Sequence, residues 1–167
     1  MSKPEFVYVI YIQAPAQNVW DALKDPEMTK EFWGRRRNQS DWKTGSEWRH
    51  ESYDDATDIA VAGTILESDP PRRLVLTWKR PNDAGPDAMS RVSFDIAEVM
   101  GSARLTVTHT DLSPEMLNSI SSGWPAILSS LKTLLETGAS LPMTRQAWKK
   151  ASQVEAQRIE TATGEAR

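Results

Sequence analysis

Imidazole is the scarcest versatile group in this 167-residue chain: His50 and His109 are the only histidines, and there is no cysteine. That removes disulfides, thiol nucleophiles and thiolate metal sites. No two histidines stand at the helical spacing of a zinc protease. Large flat side chains are abundant instead, with seven tryptophans: Trp20, Trp33, Trp42, Trp48, Trp78, Trp124 and Trp148. An inward histidine can act as an acid or base near neutral pH, or simply hydrogen-bond a neighbouring strand or helix terminus. Neither histidine has a carboxylate partner at a defined spacing, and no Gly-x-Ser-x-Gly elbow focuses a serine nucleophile. A metal shared by the two histidines would need Glu51 or Asp111. Strand alternation points both acids off the histidine face, so neither a metal nor another cofactor is expected.

Bulk properties narrow the partners. The chain carries 20 basic and 23 acidic residues, a net charge of −3. That is no electrostatic footprint for nucleic acid. The single basic run, Arg35-Arg36-Arg37, reads as a solvated strand end. The N-terminus lacks the apolar core of a signal peptide, and no apolar stretch reaches the ~20 residues of a membrane span. A soluble, cytoplasmic protein is expected.

These side chains are positioned mostly by strands. Residues 5–13 are aromatic and β-branched, hence a strand, ended at Ala14-Pro15. Val19, Trp20 and Leu23 recur at helical spacing, and Asp25-Pro26-Glu27 forms the start signal of a second short helix ending near Phe32. A weak strand over 38–42 follows. Residues 46–53 put Trp48, His50 and Ser52 on one face and Glu47, Arg49 and Glu51 on the other. A polar hairpin turn at 54–58 leads to a strand over 59–67, in which Gly63 suggests a bulge. Pro70-Pro71 breaks the chain, and 72–79 place Leu74, Leu76 and Trp78 on one face. After a loop at 80–87, Val92, Phe94 and Ile96 alternate with polar residues, as do Leu105, Val107 and His109. Such alternation implies an antiparallel sheet with one wet face.

The longest helix comes last. Ser113-Pro114 is its start signal and Gly138 its stop. Its apolar stripe includes Leu117, Ile120, Trp124, Ile127, Leu128 and Leu131. Pro125 should kink or divide it near residue 121. Gly123 is expected to allow close approach to the sheet, with Trp124 filling the gap. Residues 1–138 read as the domain. Residues 139–167 read as a partly helical extension, whose Trp148 would dock on its own domain or on a second copy, making a homodimer through this extension plausible.

An antiparallel sheet with one apolar face needs a cover, and only the long helix is large enough. The fold class expected is therefore α+β, a helix-grip. In it, a curved antiparallel sheet of about six to seven strands wraps a long C-terminal helix, with two short helices after the first strand. The residues that carry a resemblance are Ile12 to Leu23, Asp25-Pro26-Glu27, Phe32-Trp33, Gly63 to Glu67, Asp69 to Leu74, Leu76-Thr77-Trp78, His109 to Leu112 and Gly123-Trp124-Pro125. On these the chain resembles the START-like, or SRPBCC, superfamily that includes the birch pollen allergen. Within it, the chain is similar to the heat-shock-protein-90 ATPase activator homologue-like group. The resemblance covers roughly residues 5–138 and implies a helix-grip fold with a ligand pocket. It does not carry activation of the heat-shock ATPase over to this chain.

Trp48, His50, Trp78, Phe94 and His109 share the inner face, where Trp124 and Leu128 of the helix meet them and Trp33 stands at the mouth. Together these eight residues are the candidate contacts for a small lipophilic ligand. The same residues also read as a packed core. Three functions compete: carriage, sensing or sequestration of an apolar or aromatic ligand; an enzyme of the same fold, a cyclase, dehydratase or hydrolase using His109 or a pocket carboxylate; and a co-chaperone-like protein-interaction module. A binder is favoured over an enzyme because no catalytic set is visible.

Overall fold

The computed structural model describes residues 3–85 and 88–148. Strand β1 (Phe6–Ile12) is followed by helices α1 (Ala16–Lys24) and α2 (Pro26–Phe32). Then come β2 (Arg36–Ser40), β3 (Glu47–Ser52), β4 (Ile59–Asp69), β5 (Arg73–Trp78), β6 (Ser90–Val99) and β7 (Ser102–Thr110). Helix α3 (Pro114–Thr137) and the single turn α4 (Pro142–Arg145) complete the order. The seven strands form one sheet in the order β1-β7-β6-β5-β4-β3-β2, and every pairing is antiparallel. This is the expected helix-grip.

The caps explain where the helices begin and end. The Asp25 carboxylate accepts from the Glu27 amide, and Pro26 occupies the first turn, where its missing N–H is no loss. Ser113 Oγ accepts from the Met116 amide at 3.1 Å, and Gly138 ends α3 in the left-handed region at φ 86°. On the sheet side α3 buries Met116, Ile120, Trp124, Ile127, Leu128 and Leu131. Burying each such side chain stabilises the fold by roughly 1.5–3 kcal/mol. That stripe lies over the inner sheet face, where Ile65, Leu74, Leu76, Val92, Phe94, Leu105 and Val107 are buried.

Several local expectations need correction. Helix α3 is not divided at Pro125; it runs unbroken from 114 to 137, because the apolar stripe on both sides of the proline docks on the same core. Gly123 marks no close approach, since a Cβ there would meet nothing within 4 Å. Gly63 forms no bulge: it pairs in register with Trp48. The irregularities fall at His50/Glu51 and between Ile65 and Glu67. What Gly63 permits is contact, because a Cβ there would lie 2.0 Å from the Thr77 carbonyl oxygen. The weak strand begins at Arg36 rather than Asn38. It stops at Ser40, whose Oγ accepts from the Trp42 amide while Trp42 turns to φ 62°. Each arginine of the 35–37 run is ion-paired, to Asp54, Asp58 and Glu51 respectively.

Candidate functional site

The inner face assembles around Trp78, at the end of β5. Its ring centroid lies 5.6 Å from Trp48, 6.4 Å from Trp33, 6.4 Å from His50, 5.4 Å from His109 and 5.6 Å from Trp124. Trp33 meets His50 at 4.7 Å and Trp124 at 5.4 Å, and Phe94 sits edge-on to Trp124 at 5.8 Å. Seven of the eight candidate residues therefore form one ring-on-ring cluster. Leu128, fully buried on α3, belongs to the same core. These separations lie within the range preferred by packed aromatic pairs.

The two histidines have different partners. Trp124 Nε1 donates to His109 Nδ1 at 3.2 Å. An indole N–H is a donor only, so Nδ1 must carry the lone pair and Nε2 the proton. Nε2–H then donates to Ser90 Oγ at 2.8 Å, and the Ser90 hydroxyl in turn donates a hydrogen bond to the Trp78 carbonyl at 3.1 Å. Both ring nitrogens are occupied, and burial pushes the His109 pKa down to about 4. At neutral pH the ring is uncharged and has no free lone pair, so in this geometry it serves neither as acid nor as base.

At His50 the assignment starts from Asn38, which pairs with it across β2 and β3. Asn38 Nδ2 donates to the Leu23 carbonyl at 2.9 Å, so Oδ1 faces the imidazole. His50 Nδ1 lies 2.7 Å from that oxygen and is therefore the protonated nitrogen. Burial, with Arg36 nearby, pushes the His50 pKa down to about 3. Its Nε2 is thus a neutral acceptor, and it receives no hydrogen bond among the described residues. The indole N–H groups of Trp33 and Trp78 likewise have no partner among the described residues, whereas Trp48 Nε1 donates to the Thr77 carbonyl at 2.8 Å. The cluster's polar atoms thus sort into two sets. Those of Trp48, His109 and Trp124, with His50 Nδ1, are satisfied internally; the indole N–H groups of Trp33 and Trp78 and His50 Nε2 have no partner among the described residues.

Glu51 faces away from His50, as alternation requires, but is not on a wet face: it is buried, with Oε1 taking the Arg37 guanidinium at 3.0 Å and Oε2 unpartnered. No group of three or more histidine, aspartate or glutamate side chains that could hold a metal ion occurs among the described residues. The partners Asn38 and Ser90 were not singled out in the sequence. Their roles follow from strand register, which local patterning does not encode.

Trp33 differs from the strand-borne rings in being carried by a connection. It caps α2 at φ −132°, and Gly34 and Arg35 follow at φ 64° and 55°. The extension holds this connection. The Gly34 amide donates to the Thr144 carbonyl, and Thr144 Oγ1 reaches the Glu31 carbonyl at 3.0 Å and Ser130 Oγ at 2.6 Å. Trp148 lies on Gly34, where a Cβ would come within 2.7 Å of the indole, and its Nε1 donates to the Met143 carbonyl. The described part of the extension therefore docks on its own domain; the rest of the expected partly helical extension, residues 149–167, lies outside the described residues.

A curved antiparallel sheet gripping one long helix over an aromatic interior defines the helix-grip class. Residues 13–136 match the family "Activator of Hsp90 ATPase homolog 1-like protein", and the chain belongs to that family. No curated protein sequence matches it. Among solved structures it is similar to CalU16 from Micromonospora echinospora, with TM-score 0.71, 23% identity and coverage of 98% of this chain and 84% of that one. It is also similar to PFC0360w, an HSP90 activator from Plasmodium falciparum, with TM-score 0.67, 18% identity and coverage of 79% and 96%. The Aha1 dimer from Colwellia psychrerythraea matches with TM-score 0.62, 18% identity and coverage of 81% and 98%. At these identities the likeness concerns the fold. Among the described residues, no helix is long and apolar enough to cross a membrane.

Proposed function

We propose that this protein binds a small aromatic or apolar ligand bearing one polar group, held between the sheet and α3 within the aromatic cluster, for carriage, sensing or sequestration in the cytoplasm. The observation that carries this reading is the unpartnered set: two indole N–H donors, on Trp33 and Trp78, and one acceptor, His50 Nε2. None of the three is among the enclosed unpartnered side-chain atoms, which are Glu51 Oε2 and Ser140 Oγ among the described residues, so a ligand's polar group can pair with them without first breaking a bond within the protein. Room is made by Trp33, which sits on the α2–β2 connection rather than in the sheet. Native mass spectrometry of the protein from its own host tests this. A small-molecule adduct is expected, released on denaturation and depleted in Trp33→Ala. Clean apo protein, free of adduct in wild type and variant alike, contradicts it.

A second reading, a protein-interaction module or homodimer, is supported by one feature. Val7, Val9 and Tyr11 on the outer face of edge strand β1 are each about half exposed, at 53%, 48% and 50%. Val9→Lys would then abolish association seen by sedimentation, while a dimer formed through the extension would be unaffected.

A further inference from the structure

A cavity of about 450 Å³ opens on the outer face of the sheet, over β3, β4 and β5. Register places it there. Glu47 pairs with Thr64 and Arg49 with Ala62, opposite in facing to the inward Trp48 and His50, and Ala62 bridges Lys79. The depression has a local cause. Between the Ile65–Leu76 pair and the Ala62–Lys79 bridge, side chains replace the β4–β5 ladder bonds. Trp48 Nε1 takes the Thr77 carbonyl, and Thr77 Oγ1 takes the Thr64 amide at 2.8 Å. Gly63 lets the strands close over this exchange without a side chain. Arg80, Pro81 and Met89, between β5 and β6, form one wall, in which Met89 is 49% exposed.

The lining is amphipathic. Ile59, Ala62, Pro81 and Met89 supply apolar surface. Arg49 and Lys79 have no ion-pair partner among the described residues, whereas Arg80 is committed to Asp83 at 2.7 Å. Glu47 is the sole acid in the lining and has no ion-pair partner among the described residues, so the cations outnumber it. An apolar trough with two uncommitted cations is complementary to one kind of occupant. We propose that this outer cavity binds a free medium-chain carboxylate, its head group on Arg49 and Lys79 and its tail along Ala62, Pro81 and Met89. At ~30 Å³ per non-hydrogen atom, the liquid-water share, the volume admits up to about 15 such atoms, and decanoate falls within it. This site lies on the opposite face of the sheet from the interior one, with Trp48 common to both linings, and it does not depend on a ligand there.

The test is an NMR titration of the full-length protein with decanoate and with decanol, in the wild type and in Arg49→Gln/Lys79→Gln. The expected result is saturable decanoate binding, with amide shifts centred on residues 62–64 and 77–81. Decanol should bind about tenfold more weakly, and the double variant should show a similar loss, as a charge-assisted pair implies. Three results overturn the proposal: no decanoate binding; equal binding of acid and alcohol, or of wild type and double variant; or shifts centred on the indoles of Trp33 and Trp78. The last would support the interior site while removing this one.

Discussion

His109 is held by a chain of donors with a single direction, from the Trp124 indole through the imidazole and the Ser90 hydroxyl to the Trp78 carbonyl. Trp124→Phe leaves Nδ1 buried without a donor, and a loss of about 1–3 kcal/mol in urea unfolding is expected. No loss would mean that the chain is not formed. The histidines also set a pH dependence. Their pKa values in the folded state, about 4 for His109 and about 3 for His50, lie below the ordinary 6.5. The unfolded chain therefore binds more protons between those values, and stability falls as pH drops below about 6.5. Each histidine contributes up to ~1.4 kcal/mol per pH unit until its folded pKa is reached. Urea midpoints at pH 7 and pH 5 should differ accordingly; equal midpoints would show that the rings are not buried neutral. The inward placement of both histidines was legible from alternation alone. Their separate roles were not, because these depend on Asn38 and Ser90, which reach them only through strand pairing.

Glycine roles separate at the scale of the elements. Gly63→Ala forces a methyl to within 2.0 Å of the Thr77 oxygen, and a loss of about 3 kcal/mol or more, or failure to fold, is expected. Gly123→Ala meets open space in the middle of α3 and should raise stability by roughly 0.5–1 kcal/mol. Thermal unfolding of the two variants checks both signs. These glycines also show where local pattern runs out. Ser113-Pro114 and Gly138 mark α3 because caps are chemistry within one turn. A close approach such as Gly63 to Thr77 lies between strands, and nothing in the neighbouring residues announces it. The same limit hid the continuity of α3 through Pro125. Proline's missing donor is a local fact, whereas docking of the apolar stripe on both sides of it is a tertiary one.

The whole molecule has two unlike edges. Strand β2 reads Arg-Arg-Asn-Gln-Ser, with its arginines in ion pairs, while β1 reads Phe-Val-Tyr-Val-Ile-Tyr-Ile without a charge. Charged side chains guard an edge against unwanted pairing. The sequence of β1 supplies no such charge; its edge is guarded from α3, where Lys132 Nζ donates to the Tyr11 carbonyl at 2.7 Å, while Val7, Val9 and Tyr11 stay exposed on its outer face. Between the edges, tryptophan serves two purposes. Trp48 and Trp124 donate within the protein, and Trp33 and Trp78 keep their donors unspent beside His50. The central claim is that these unspent groups meet a ligand. Side-chain indole N–H resonances report on it directly during titration with 2-naphthol, an aromatic ring carrying a single hydroxyl. Saturable shifts of the Trp33 and Trp78 indole signals are predicted, with those of Trp48 and Trp124 nearly unmoved. Uniform shifts of all four, or no saturable shift, would contradict the account.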